Sequence, residues 1–134
     1  MAVVTTYAKA AKDVRSLDTN LFAITEKRTL AATGIANGDN VQMITIPHPM
    51  RLINTHLAQR ATLGASATVK VQLNRSGARS DLTTATTAGG ASIVSGATIG
   101  AVDLLAGDII ELLSGGANVT SAAAVELDLI CQRA

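Results

Sequence analysis

The sequence predicts an all-β protein, an antiparallel sandwich or barrel built from one domain, and three observations support this. Short runs in which apolar and polar residues alternate recur from residue 40 onward. Turn-forming runs rich in Gly, Ser, Asn and Asp separate them, and no convincing long helical pattern appears. The chain has 134 residues, 48% of them hydrophobic and 16% charged, which is enough for a packed core.

The N-terminal segment, residues 1–20, has a different pattern. The spacing of Tyr7, Ala11, Val14 and Leu17 suits a short amphipathic helix. The same segment could equally be an extended arm. We therefore expect an N-terminal arm or short helix, residues 1–20, joined to a β-sandwich domain of residues 21–134.

The clearest strand patterns lie at residues 68–73 and 124–130. Each alternates strictly, with its Val and Leu residues on one face. In the second run this places Glu126 and Asp128 on the solvent face. Looser patterns predict further short strands at residues 40–46, 50–58, 80–88, 91–105 and 108–114.

Two Gly-Asp pairs precede apolar runs, at Asp39 and Asp108. Asp can bond its own backbone in a turn, and Gly supplies the unusual torsion angles. The alternative is that acidic residues gather into a calcium site or an acid/base pair. Their spacing matches no EF-hand loop, so we interpret the pairs as turns that begin strands. The candidates for the alternative are Asp103, Asp108, Glu111, Glu126 and Asp128.

Charge is unevenly distributed along the chain. Residues 1–80 carry ten basic and four acidic residues, a net of +6, whereas residues 81–134 carry one basic and six acidic residues, a net of −5. Such a division could serve contacts between copies or with a charged partner. We expect instead that the fold interleaves the two halves, since sheets commonly mix sequence-distant strands.

No motif in the chain indicates catalysis, a metal or a cofactor. His48 stands between two prolines and His56 on a predicted strand, a pair without a known metal-ligand spacing. The composition permits a Ser-His-Asp triad, but the G-x-S-x-G elbow is absent. Cys131, the single cysteine, lies in an apolar run and is expected to be packed and unreactive. We therefore predict no enzyme activity, no cofactor and no small-molecule substrate.

Composition also bears on binding partners. The chain has no Trp, one Tyr and one Phe, so it lacks the aromatic platforms on which sugars and bases stack. Basic residues are dispersed, which does not favour specific nucleic-acid binding. No apolar run is long enough for a membrane span, and the N-terminus lacks a signal-peptide pattern, so we expect synthesis and assembly in a cytoplasm and no membrane partner.

The stretches "GDNVQMITIPHPMRLINTHLA", "AGDIIEL" and "VELDLI" complete a pattern of Thr/Ala/Gly-rich strands with a proline turn. Over residues 38–131 this pattern resembles the jelly-roll cement, or decoration, proteins on the capsid exterior of tailed bacteriophages. The resemblance implies a jelly-roll-like sandwich that binds the major capsid protein and itself, as a dimer or trimer, and stabilises the head of the virion. It also implies an arm whose contacts would be Tyr7, Lys9, Lys12 and Arg15.

Other functions fit the same pattern. A head fibre base, a tail tube or a baseplate protein is another virion part with such a fold. A glycan-binding β-sandwich module belongs to a different class, and the shortage of aromatic residues counts against it.

Overall fold

The computed structural model describes residues 21–30, 34–96 and 102–133. Within these ranges the protein forms nine strands and no helix, which confirms the all-β prediction. The predicted arm lies outside the described residues, together with its four expected contacts, Tyr7, Lys9, Lys12 and Arg15. The strands are β1 (Leu21–Leu30), β2 (Asn40–Thr45), β3 (Met50–Gln59), β4 (Thr68–Arg75), β5 (Ala78–Asp81), β6 (Ser92–Gly96), β7 (Val102–Leu104), β8 (Ile109–Gly115) and β9 (Ala123–Arg133).

The strands form two antiparallel sheets packed face to face. Sheet I has the order β1-β9-β3-β6, and β7 also pairs with β3. Sheet II has the order β2-β8-β4-β5. The chain passes from one sheet to the other after β1, β2, β3, β5, β7 and β8, so strands distant in sequence lie side by side.

The pairing is nested, which makes the sandwich a jelly roll. The β4-β5 hairpin is the innermost pair. It is enclosed first by β3 with β6 and β7, then by β2 with β8, and last by β1 with β9. The contacts of β9 with β3 and of β8 with β4 close the roll. One long antiparallel hairpin is thus wound into two sheets, as in jelly-roll domains.

Alternating side chains of both sheets meet in one core. On β9, Val125, Leu127 and Leu129 are fully buried, while Glu126 and Asp128 face outward as predicted. On β4, Val69 and Val71 are buried in the same way. Each fully buried Val or Leu side chain contributes about 1.5–3 kcal/mol to the stability of the fold. Burial of these side chains is therefore the main force that holds the sheets together.

The threonine-rich run after β5 forms no strand beyond Asp81, so the strand predicted at residues 80–88 is only partly correct. The run still follows the edge of β4: the hydroxyls of Thr86 and Thr83 accept the backbone N–H groups of Val69 and Val71, each at 3.1 Å. Thr86 also donates to the buried amide oxygen of Gln59 at 2.7 Å. Side-chain oxygens thus take the place of a neighbouring strand, because buried N–H groups require a partner.

Strand β1 was not predicted. Its even-numbered residues face the core side, and they include Glu26 and Arg28, which break the apolar alternation. The guanidinium of Arg28 donates to the carbonyl oxygen of Gln42 on β2, across the opening between the sheets. Charged residues that point inward on an edge strand hinder pairing with another chain, so this half of β1 is a protected edge.

The two Gly-Asp pairs form equivalent turns at opposite ends of the β2-β8 ladder. Gly38 and Gly107 have φ of 92° and 91°, which suits the third position of a type II turn. Asp39 accepts from the N–H of Ala36 at 2.9 Å, and Asp108 accepts from the N–H of Leu105 at 2.8 Å. Each turn begins one strand of the pair, which confirms the turn interpretation.

Each turn also docks on the far end of the partner strand. Gly38 donates to the carbonyl of Ser114 and Ser114 donates to that of Asp39. At the other end, Gly107 donates to the carbonyl of Ile46, and Ile46 donates to that of Asp108. The β2-β8 pair therefore has an approximate internal two-fold symmetry that extends its ladder at both ends.

Candidate functional site

All six ion pairs of the described chain join a basic residue before position 80 to an acidic residue after it. The nested pairing brings these halves into register, and the uneven charge along the sequence is thereby neutralised locally. This confirms the expected interleaving. The pairs are Lys27–Glu126, Arg51–Asp103, Arg60–Glu126, Lys70–Asp81, Arg75–Asp108 and Arg79–Glu111.

The Asp108 carboxylate is the most deeply buried member of these pairs, with 4% of its side chain exposed. Arg75 donates to it through Nε at 3.1 Å and through Nη2 at 2.8 Å. These bonds, with the backbone N–H of Leu105, hold the pKa of Asp108 below its usual range against the opposing effect of burial. The ionised carboxylate thus fastens the β4-β5 hairpin to the turn before β8.

Glu111 lies on the outer face of β8, yet it is buried. It accepts from Arg79 Nε at 2.9 Å and from Asn74 Nδ2 at 3.1 Å. The outer face of the apolar strand β8 is thus covered at this point by polar side chains of neighbouring strands. On the same face the amide of Gln72, and then Lys70, lower the pKa of Asp81.

The acidic residues that could have formed a calcium or acid/base site are therefore engaged separately. Asp103 pairs with Arg51, and Glu126 is held by Arg60 and then Lys27, which lower the pKa of its carboxyl. Among the described residues, no three His, Cys, Asp or Glu side chains lie close enough together to bind a metal ion. Four of the five candidate acids pair with basic side chains, and the fifth, Asp128, accepts from the hydroxyl of Thr25.

A polar row that the sequence did not reveal crosses the outer face of sheet I. His56 is the cross-strand partner of Asp128 on β9 and of Ser95 on β6. Ser95 Oγ lies 2.8 Å from His56 Nδ1, and Asn54 Nδ2 lies 3.3 Å from His56 Nε2. Ser95, His56 and Asp128 thus lie side by side, and their hydrogen bonds decide whether they form a catalytic triad.

The hydrogen bonds determine the tautomer of His56. Asn54 Oδ1 already accepts from the backbone N–H of Thr55 at 2.8 Å, so Asn54 presents its NH₂ group to His56 Nε2. In the neutral imidazole this orientation makes Nε2 the acceptor and lets Nδ1–H donate to Ser95. In this tautomer the nitrogen that faces Ser95 is a donor and not an acceptor of the hydroxyl proton.

The third member of a triad is also engaged elsewhere. The Asp128 carboxylate accepts from Thr25 Oγ1 at 2.8 Å. A serine hydrolase needs the carboxylate to orient the imidazole and the imidazole to activate the serine. The row is therefore a hydrogen-bonded surface network on an open sheet, without the bonds of a catalytic triad.

Among the described residues, a concave surface lies at the end of the sandwich where β1 begins and β9 finishes. We call it the terminal groove and define it by Phe22, His48, Pro49, Leu105 and Arg133. It consists of two adjoining depressions of about 550 and 510 Å³ that share Pro49 and Arg133. Leu105 is 48% exposed there, close to the Arg51–Asp103 pair.

The groove is assembled from four separate parts of the chain. Phe22 comes from β1, His48 and Pro49 from the proline turn before β3, Leu105 from the turn before β8, and Arg133 from the end of β9. Behind them, Met50 and Leu104 are buried and form its apolar floor, and the Arg51–Asp103 pair forms part of its rim. The groove therefore has an apolar floor and a partly charged rim.

Other predicted positions are where the sequence placed them. His48 is exposed in its proline turn, and Cys131 is fully buried, where desolvation raises the pKa of its thiol to about 11. Among the described residues there is no helix of the length and apolarity needed to cross a membrane. No protein-family model matches the chain, and a search of curated proteins finds no match to its sequence.

Proposed function

We propose that this protein is a structural component of a tailed-phage virion, which binds the outside of the capsid as a homo-oligomer and stabilises the head. The jelly-roll winding is the observation that carries the proposal, because viral capsid proteins are one of the main classes built on this roll. The inference rests on fold-level analogy and on the sequence pattern of residues 38–131.

Two other classes that use the roll fit the chain less well. Lectins hold sugars with aromatic residues, of which this chain has one Tyr and one Phe. Cupins bind a metal with clustered histidines, and here His48 lies in the terminal groove while His56 lies on the outer face of sheet I. A structural role needs neither feature.

The proposal assigns the capsid contact to the terminal end of the sandwich. Leu21 and Arg133 lie together there, so both termini of the domain leave from this end, beside the terminal groove. Residues 1–20, with Lys9, Lys12 and Arg15, precede Leu21 in the sequence. A segment without a core of its own gains stability by docking, and folding on binding lets it cover a large area.

The test uses emptied heads of the phage that encodes the protein. Full-length protein should bind at saturable stoichiometry that matches the capsid symmetry, and it should raise the temperature at which heads break. Deletion of residues 2–18 should abolish binding and leave the sandwich folded, as judged by circular dichroism. Replacement of Lys9, Lys12 and Arg15 by Gln should weaken binding most at low salt.

Two results would reject the proposal. One is the absence of saturable binding to heads by the folded, full-length protein. The other is equal resistance of decorated and undecorated heads to heat. Binding to a glycan array at millimolar or tighter affinity would instead support the sugar-binding alternative.

A further inference from the structure

The turn before β2 contains the one Asn-Gly pair of the sequence, Asn37-Gly38. Every other asparagine precedes Leu, Val, Thr or Arg, whose side chains hinder access to the backbone nitrogen that follows the asparagine. Gly38 has no side chain, and the space where a Cβ would stand is open. The Asn37 side chain is exposed, so its amide carbon and the Gly38 nitrogen are sterically free to react.

The reaction open to such a pair is deamidation through a five-membered ring. The backbone nitrogen of Gly38 loses its proton to a base in the solvent and forms a bond to Cγ of Asn37, and the side-chain nitrogen leaves as ammonia. Water then opens the succinimide ring at one of its two carbonyl carbons, which leaves an aspartate or an isoaspartate. Water is the only co-reactant, and no oxidation or reduction takes place.

The fold holds the attacking nitrogen in a hydrogen bond. Asp39 N–H closes the turn of residues 36–39 by donating to the Ala36 carbonyl at 3.0 Å. Gly38 N–H takes no part in that bond and donates instead to the carbonyl of Ser114 on β8 at 2.9 Å. A bonded N–H gives up its proton less readily, and a turn fixed on β8 cannot rotate to bring the nitrogen onto Cγ. Attack therefore requires that the turn leave β8.

Two side chains fasten the turn further. The hydroxyl of Ser114, whose exposed fraction is only 2%, donates to the Ala36 carbonyl at 2.6 Å and accepts from Asp39 N–H at 3.1 Å. The Asn118 side-chain oxygen accepts from Asn37 N–H at 2.8 Å. These bonds break when the turn opens, so removal of either side chain should increase the fraction of molecules in which the turn is open.

We propose that Asn37 is a deamidation site gated by the fold, which reacts in molecules whose turn of residues 36–39 has left β8. An isoaspartate lengthens the main chain by one carbon at residue 37, so the turn and the Gly38–Ser114 bond no longer fit together. The product does not revert to asparagine, and it therefore marks molecules in which this end of the β2-β8 ladder has opened. This proposal does not depend on a virion role.

Comparison of native protein with guanidinium-unfolded protein at pH 8 tests the gate. Peptide mass spectrometry that distinguishes isoaspartate from aspartate would follow residue 37 with time. The rate in the native protein should be at least about tenfold lower, because a hydrogen-bonded turn is open in only a small fraction of molecules. Equal rates in the two states would overturn the gate, and absence of reaction in the unfolded chain would overturn the site.

The equivalent turn before β8 provides a matched control in the same molecule. Ala106 occupies the position of Asn37 there, and Gly107, with φ of 91°, donates to the Ile46 carbonyl at 2.9 Å. Ala106→Asn places a second Asn-Gly pair in the same hydrogen-bonded geometry, so residue 106 should react as slowly as Asn37 in the folded protein. A folded rate at residue 106 close to its unfolded rate would overturn the role of the glycine hydrogen bond.

Ser114→Ala in the Ala106→Asn background tests local opening. The loss of the hydroxyl bonds should raise the rate at Asn37 about fivefold or more, while the rate at residue 106 stays low. Asn118→Ala alters an exposed side chain and should raise the Asn37 rate by a smaller factor, which gives a second variant that keeps the buried hydroxyl. Equal acceleration at both positions would show that the reaction follows global unfolding and would overturn the local gate. An unchanged Asn37 rate in both variants, with circular dichroism showing a folded sandwich, would overturn it as well.

Discussion

Replacement of Asp108 by Asn tests the main electrostatic contact of the fold. The substitution preserves the shape of the side chain, and the amide oxygen can still accept from Leu105 N–H, now 2.8 Å away. It removes the negative charge of the carboxylate, to which Arg75 Nη2 and Nε donate hydrogen bonds at 2.8 and 3.1 Å. The NH₂ group of the new side chain would then face the guanidinium, which also donates.

The magnitude follows from burial. Hydrogen bonds to charged groups contribute about 1.5–3 kcal/mol each, and the Asp108 carboxylate is almost completely buried. Because solvent reaches the partner and screens the interaction, we expect the lower part of this range, about 2 kcal/mol for Asp108→Asn. For a domain of this size that corresponds to a fall in Tm of roughly 8 °C. Urea and thermal unfolding, followed by far-ultraviolet circular dichroism, would measure it.

The same pair predicts a pH dependence. Arg75 holds the pKa of Asp108 below its ordinary value of 3.8, so the folded state favours the ionised form. The resulting stability is present above pH 3.8 and is lost as the pH falls from there through the folded-state pKa. The difference in unfolding free energy between wild type and Asp108→Asn should therefore be full at pH 7 and shrink as the pH falls below 3.8.

Asp103→Asn is the matched control, since this carboxylate also pairs with an arginine but is 72% exposed. Exposed pairs contribute little, so the control should remain within about 0.5 kcal/mol of wild type. An Asp108→Asn protein as stable as the control at pH 7 would refute the argument. A stability difference between Asp108→Asn and wild type that stays unchanged below pH 3.8 would refute it as well.

Three further predictions concern the core. Gly96→Ala should destabilise the protein by about 3 kcal/mol or more in an unfolding assay, because a Cβ there would lie 1.7 Å from the carbonyl oxygen of Leu82. Gly90→Ala is the control and should be close to neutral, because the space around Gly90 is open. Thr86→Val should cost about 2–4 kcal/mol in urea unfolding, since it leaves two buried partners unsatisfied; a cost below about 1 kcal/mol would contradict the role of its hydroxyl. Cys131 should react with a thiol reagent at pH 8 only through unfolding, so its rate should rise in parallel with added urea.

The parts of the fold predicted from the sequence are those whose signals are local. Strict alternation located β4 and β9, and the Gly-Asp pairs located the turns before β2 and β8. Strand β1 was missed because Glu26 and Arg28 interrupt its core-facing positions, and only the neighbouring β2 explains why charges are tolerated there. The threonine run was predicted as a strand from a loose pattern, whereas two of its hydroxyls serve as acceptors for backbone N–H groups of β4.

The candidate site could not be predicted in the same way. Phe22, His48, Leu105 and Arg133 are spread over more than a hundred positions, and none carries a motif. They converge because the nested pairing returns β9 to β1 and places the turns before β3 and β8 at the same end. The Ser95–His56 contact is likewise a product of strand register, which periodicity does not specify.

By itself, the sequence determined the all-β class, most of the strands, the Gly-Asp turns and the packed state of Cys131, because backbone preference and the two-residue side-chain period act over a few neighbouring residues. The tertiary structure alone decided the strand order, the six ion pairs that neutralise the uneven charge, the role of Asp108 as an anchor for Arg75, and the terminal groove. These features depend on which distant strands become neighbours, and that is settled by the burial of both sheet faces together.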